Sequence, residues 1–446
     1  MSGPTDRDLL ARCLRALGVS RAFRAAGSTL GAIPGLEVVD VGEPVLASLL
    51  ADADGRLSSA PSARPGVALL PGRRVRISSS PGEVVPAATV LDAEVLTSTV
   101  AGWGLRGPHA ALELDVDLDL DAPAPPGVEP LVLDASQVPL VRLSPTLADL
   151  AMVIVVGPGV VREGQVDGVA EAARRTGARV VATPGALGVL PFADPAWAGV
   201  VGLQAEDPRL AGITDAELVV VVGVDPAEAV GVVPTDAQLL EVEPWHLAFM
   251  AHTWPEPTGT PAGGSGPGRE LVEGLAAIAA RGRASDAVPL HPVRALADLF
   301  EVIEPDALVL ADPGPAGLWL ARGVVARPAG SVVVPARPVP GSAAAGALVR
   351  GLDRRPAVAL TTVPVDPVTD AFLELAAGLG VAVTCVAWGS SDPYAAASEH
   401  RERLVGALHE GGVQRVAVPV DLEATGELLD LAGPVSAWAP DLDDLS

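Results

Sequence analysis

Between Ala151 and Pro226 the chain reads "AMVIVVGPGVV", "QVDGVAEAARRTGA", "RVVATPGALGVLP" and "DAELVVVVGVDP" in succession. This pattern constrains the fold more than any other. The apolar runs are nearly continuous, so each strand is covered on both faces; a one-sided strand would alternate. The amphipathic stretch between the first two runs has helical spacing and stops at Gly177. Strands alternating with helices, with connections too long for hairpins, predict a parallel α/β sheet. The pattern returns later as "DALVLADPGPAG", "SAAAGALVRGL", "ALTTVPVDPVTDAFLELAAGLGVAVTCVAWGSSDPY", "VQRVAVPV" and "DLEATGELLDLA".

A chain of 446 residues has room for two to four domains at about 100–200 residues each. Three blocks emerge, 1–130, 140–285 and 288–446. The first opens on a helix with Leu9, Leu10, Cys13, Leu14 and Leu17 on one side. Strand-like pieces follow at Val67–Leu70 and Ala111–Leu118. In "LELDVDLDLDAPAPPGVEP" the alternation puts Asp115, Asp117, Asp119 and Asp121 on one solvent face of an edge strand, and no calcium-loop spacing is present. Residues 257–270, rich in Gly and Pro, read as a linker.

Composition narrows the chemistry. The net charge of −25 disfavours nucleic acid and anionic membranes as partners. No run of apolar residues is long enough to span a bilayer, and the N-terminus lacks a signal-peptide core. Cys13 and Cys385 lie far apart, which favours a reducing cytoplasm over a disulfide. The chain contains no lysine and no asparagine. Schiff-base lysines, a phosphate-loop lysine and asparagine metal ligands are therefore excluded. Neither G-x-S-x-G nor H-E-x-x-H occurs. His246 and His252 are six apart and do not share a helical face, so surface or capping roles are expected. Gly157 and Gly159 form a G-x-G after a strand, without the third glycine of a dinucleotide fingerprint; a tight structural turn is the simpler reading. Glu43 sits between a strand-like "LEVVDV" and a helix. There it reads first as a helix-start residue and second as a proton handler.

The order of blocks carries a further signal. The segment from "VIVVGPGVVREG" through Thr183–Pro191 to "VVVVGVDP" resembles the central domain of thiamine-diphosphate enzymes of the acetolactate synthase and 2-oxoacid decarboxylase kind. "LLARCLRALGVSRAFRAAGS" and "GEPVLASLLADADGRL" look like that family's N-terminal domain, up to about Gly72. "VLADPGPAGLWLAR" and the residues from Ala359 to Tyr394 look like its diphosphate-binding domain. The resemblance implies three consecutive doubly wound parallel-sheet domains, the first one shortened. It places Glu43 where the family keeps the glutamate that activates the cofactor. It implies cofactor contacts at Gly157, Gly159, Thr183 and Ser390. The family's Mg²⁺–diphosphate motifs fall at Pro364-Val365-Asp366 and near Gly389-Ser390, where the usual ligands are missing; only Asp366 and Asp392 stand on the corresponding loops.

The leading expectation is a relative without cofactor, acting as a structural or regulatory subunit. The alternatives are a divergent thiamine-diphosphate enzyme on 2-oxoacids using Glu43, Asp366 and Asp392, and a nucleotide or small-molecule binder using the central domain. A homodimer or tetramer is expected, or a hetero-complex with a complete family member.

Overall fold

A computed structural model describes residues 4–58, 64–79, 84–105, 111–131, 144–225, 228, 236–255, 268–337 and 339–438. His109 and most of the segment 257–270 lie outside them. The chain forms two compact units, Met1–Pro139 and Leu140–Ser446.

Among the described residues the first unit holds six strands: β1 (Arg21–Ala25), β2 (Glu37–Gly42), β3 (Gly66–Leu70), β4 (Arg74–Ser78), β5 (Val84–Val90) and β6 (Ala111–Val116). Their order is β2-β1-β3-β4-β6-β5. β1 runs parallel to β2 and β3, and β5 parallel to β6, but β4 is antiparallel to both neighbours. The cause is local. Only Pro71-Gly72-Arg73 joins β3 to β4, too few residues for a parallel crossover, and Gly72 takes φ 75° to turn the chain.

One face of this sheet packs Val67, Leu69, Val75, Ile77, Leu112 and Leu114 against the opening helix, Asp6–Ala16. That helix starts on Thr5, whose hydroxyl oxygen accepts from the Asp8 N–H while the Asp8 carboxylate accepts from the Thr5 N–H. Two backbone donors at the helix start gain partners this way. The other face is built differently. The helix Pro44–Leu57 brings buried Asp52 and Asp54 onto Arg76 and Arg64, at 3.3 and 3.1 Å. The four aspartates of the acidic stretch are exposed while Leu118 and Leu120 between them are buried, as the alternation implies, but β6 is paired on both sides, by β4 and β5, and is not the expected edge strand.

Among the described residues the second unit holds two sheets, every strand of which is parallel to its neighbours. The central sheet contains β7 (Met152–Val156), β8 (Arg179–Ala182), β9 (Trp197–Val200), β10 (Leu218–Val222) and β11 (Gln238–Val242), in the order β11-β10-β7-β8-β9. The last sheet contains β12 (Leu308–Ala311), β13 (Val332–Val333), β14 (Ala357–Thr362), β15 (Val383–Trp388) and β16 (Val413–Val418), in the order β13-β12-β14-β15-β16. The helix Val166–Thr176 ends on Gly177 in the left-handed region, where glycine meets no Cβ penalty.

One hydrophobic cluster runs through both sheets of this unit. Polar staples join its parts. Arg322 is fully buried and donates to Asp207 at 2.7 Å and to the Val200 carbonyl at 3.0 Å. Gln204 accepts from Arg322 and donates to the Leu428 carbonyl. Breaking such a buried pair from one side costs about 3–5 kcal/mol, because an uncompensated charge stays behind. A second staple is Asp298, fully buried on the helix Pro292–Val302. Burial opposes its charge, but hydrogen bonds from His400, Arg401 and Arg294 outweigh that and hold its carboxyl below the usual aspartate value.

Candidate functional site

In the last sheet the chain leaves β12 towards β13 on one side and returns to β14 on the other. Loops that diverge in this way open a crevice at the carboxyl ends of β12 and β14, the usual ligand position in open α/β sheets. The loop after β12 is Asp312-Pro313-Gly314. Gly314 adopts φ 126° and ψ −166°, a conformation open in practice to glycine alone, and a Cβ there would have only Thr362 Oγ1, at 3.8 Å, nearby. The glycine therefore serves backbone shape and leaves open space.

Asp312 is buried at the head of this crevice. Its Oδ1 accepts from the Ala343 N–H at 2.9 Å and from Ser342 Oγ at 3.1 Å; its Oδ2 accepts from Thr369 Oγ1 at 3.4 Å. Thr361 adds a further hydrogen bond. Burial pushes the carboxyl above the usual aspartate value, and these four partners only partly offset it. The neighbouring Cys385 thiol is pushed up to about 12, first by burial and then by the Asp312 charge. Asp312 thus fastens β12 to β14 and to the starts of two helices, Ser342–Leu352 and Pro367–Leu379. Sequence reasoning missed it, although an acidic residue ending a buried apolar strand was visible in "LVLADPG".

The residues expected to hold a metal are placed otherwise. Asp366 is the N-cap of the helix Pro367–Leu379 and accepts from the Val368 N–H at 2.8 Å. Pro364, beside it, has no N–H to offer an anion. Asp392 is exposed and donates its backbone N–H to Ser390 Oγ at 3.1 Å. Ser390 and Gly389 both donate their N–H groups to the Val418 carbonyl, at 3.1 and 3.0 Å. A Cβ on Gly389 would meet Leu422 at 2.9 Å and Val363 at 3.2 Å, so apolar side chains fill the space between these loops. Among the described residues, no group of three or more His, Cys, Asp or Glu is arranged to hold a metal ion.

The central sheet has its own switch point, between β7 and β10. Gly157 and Gly159 stand there, pressed onto the end of β10. A Cβ on Gly157 would lie 2.2 Å from Val224 Cα, and one on Gly159 would lie 2.9 Å from Gly223 Cα. Their N–H groups donate to the Val222 and Gly223 carbonyls, at 2.9 and 2.8 Å. Thr183 is fully buried and donates its hydroxyl to Glu228, itself buried. Arg162 and Asp225, both buried, form a two-pronged ion pair at 3.1 and 3.3 Å. Gly157, Gly159 and Thr183 are therefore engaged within the chain. Arg162, Asp225 and Glu228 joined no expectation, because nothing local announces pairings across 45 and 63 residues.

Glu43, in the first unit, occupies the N-cap position of the helix Pro44–Leu57. Its side chain is exposed and makes no capping hydrogen bond, so the helix-start reading describes its place and not a bond.

Residues 149–244 match the thiamine pyrophosphate enzyme central domain. The fold of the chain is similar to that of a Mycobacterium smegmatis protein described as a "putative thiamin diphosphate-dependent enzyme". The TM-score is 0.65 at 16% sequence identity, covering 93% of this chain and 99% of that one. No curated protein sequence matches the chain significantly. The family match is confined to this central block. The expected α/β architecture with parallel-dominated sheets is present in all three blocks. No helix among the described residues is long and apolar enough to cross a membrane.

Proposed function

We propose that this chain is a thiamine-diphosphate-enzyme-like scaffold that does not hold a magnesium diphosphate, and that it acts as a structural or regulatory subunit. One observation carries the reading: the three carboxylates on the loops after β12, β14 and β15 are committed elsewhere or stand apart. Asp312 is tied to four internal donors, Asp366 caps a helix, and Asp392 lies out in solvent. Magnesium requires near-octahedral oxygen ligands at about 2.0–2.1 Å, which separated carboxylates do not supply. The residues present do not fit the group.

The reading is tested by titrating thiamine diphosphate with Mg²⁺ into the purified chain in a calorimeter. Tight, Mg²⁺-dependent binding would sink it. Assembly as a homodimer or larger, or with a complete enzyme of the same kind, is part of the proposal, and a monomeric mass by light scattering would refute the homo-oligomer. A reducing cytoplasm suits the chain, since both thiols are free and buried. A second reading, a divergent 2-oxoacid enzyme, is favoured by one feature: Glu43 is exposed and makes no cap bond. That reading requires pyruvate turnover that Glu43→Gln abolishes.

A further inference from the structure

His291 joins three helices of the second unit. It is the N-cap of the helix Pro292–Val302, it packs against the last turn of the helix Glu270–Arg283, and it reaches the closing helix Gly426–Ala432. The chain passes through it on the way from the central sheet to the last one.

Both ring nitrogens are engaged, and together they fix the tautomer. Nδ1 accepts from the Val293 N–H at 3.2 Å, so it carries no proton. The ring proton is then on Nε2, which donates to Glu427 Oε1 at 3.0 Å. Burial opposes the Glu427 charge, but hydrogen bonds from His291 and Arg281 outweigh that and hold its carboxyl below the usual glutamate value. The ring has little room to turn. A Cβ on Gly282 would lie 2.2 Å from Nδ1, and the Trp319 ring stands edge-on with centroids 5.4 Å apart.

The charged groups around the ring are accounted for. Glu427 approaches from the closing helix, and Arg281, on the helix Glu270–Arg283, lies 2.7 Å from Glu427. The helix Pro315–Ala321 brings only the Trp319 indole, whose N–H donates to Thr425 Oγ1. Arg294, on the capped helix itself, is paired with Asp286 and Asp298. Asp421, whose N–H donates to the Leu290 carbonyl, accepts with its side chain from the Glu423 N–H. A second proton on the ring has opposite effects at the two nitrogens. At Nε2 it adds charge to a bond already made with a carboxylate, which strengthens it. At Nδ1 it sets one donor against another, and the cap bond is lost.

We propose that His291 is a pH-sensitive latch. Neutral, it fastens the start of the helix Pro292–Val302 to the closing helix; protonated, it keeps Glu427 and releases Val293. The latch lies apart from both switch points and does not depend on the reading given above. Histidine changes charge between about pH 5 and 8, which sets the window of the test.

The test is hydrogen exchange of the purified full chain, read by mass spectrometry on peptides spanning residues 290–296. The wild type is compared at each pH with His291→Asn and His291→Ser, two cap residues that do not titrate, so the intrinsic pH dependence of exchange cancels. Between pH 8 and 5 the wild type should lose about five-fold in protection relative to both variants, the change expected for one lost cap. Nitrogen NMR of the wild-type chain labelled with ¹⁵N-histidine needs no variant to fold, and at pH 8 it should show every histidine that carries its proton on Nδ1 to be one other than His291. A proton on Nδ1 of His291 at pH 8 overturns the proposal. So does wild-type protection that runs parallel to the two variants across the window.

Discussion

The two switch points of the second unit share a topology and use it in opposite ways. After β7 the turn Gly157-Pro158-Gly159 is glycine-rich because backbone presses on backbone: a Cβ on Gly157 would stand 2.2 Å from Val224 Cα. After β12 the turn Asp312-Pro313-Gly314 needs glycine for its dihedral angles, with nothing closer than 3.8 Å. The central crevice is closed by an Arg162–Asp225 pair, whereas the last one is headed by a single carboxylate held by neutral donors. A glycine loop after a parallel strand is therefore no sign of a phosphate site until its close neighbours are known.

The sharpest break in this comparison is removal of one charge from the closed crevice. Asp225→Ala leaves Arg162 buried and uncompensated, and should cost about 3–5 kcal/mol in urea unfolding of the second unit's transition. A loss within about 0.5 kcal/mol, the usual surface value, would mean that water reaches the pair.

Next come the glycines. Gly157→Ala forces backbone apart and should cost about 3 kcal/mol, the upper part of the overpacking range. Gly314→Ala meets no neighbour and pays only for its dihedral angles, about 1–2 kcal/mol. Equal melting points for the two variants would erase the distinction drawn between the turns.

The carboxylate heading the open crevice gives a pH signature. Burial raises the folded-state value of Asp312 above its unfolded value near 3.8, so the folded chain keeps this proton longer. The resulting stability is present below the unfolded value and is lost as pH rises through the folded value. Asp312→Asn cannot titrate, so it should gain on the wild type as pH rises from about 4 towards neutrality. Asp298 is shifted the other way: its contribution is present above the unfolded value and lost as pH falls through the folded one. Asp298→Asn should therefore gain on the wild type only as pH drops into the acid range. Parallel pH curves for the two variants would refute the opposed assignments.

The smallest effect is expected at Asp366→Ala, about 1 kcal/mol for a lost helix cap. Thermal melts with and without millimolar Mg²⁺ should shift equally for variant and wild type.

Much of the second unit was legible in the sequence because strands covered on both faces leave unbroken apolar runs, as in Val153–Val156 and Leu218–Val222. Gly177 marked a helix end for a local reason, its left-handed φ. The reversed strand β4 was not legible, since a strand pattern carries no direction; the short turn at Gly72 was its one clue. At the candidate site, Asp366 and Asp392 fell on the loops assigned to them. What they bond to was not readable, because a cap and a metal ligand look alike until the helix start is located to the residue. The Arg322–Asp207 and Arg162–Asp225 pairs stayed hidden for a different reason: partners 115 and 63 residues apart leave no spacing to detect.

The central claim is that the crevice of the last sheet does not hold a magnesium diphosphate. Isothermal titration of thiamine diphosphate into the purified chain, run with Mg²⁺ and again with a chelator, tests it most directly. The account predicts no difference between the two titrations. A saturable heat that appears only with Mg²⁺ and disappears in Asp366→Ala would contradict it.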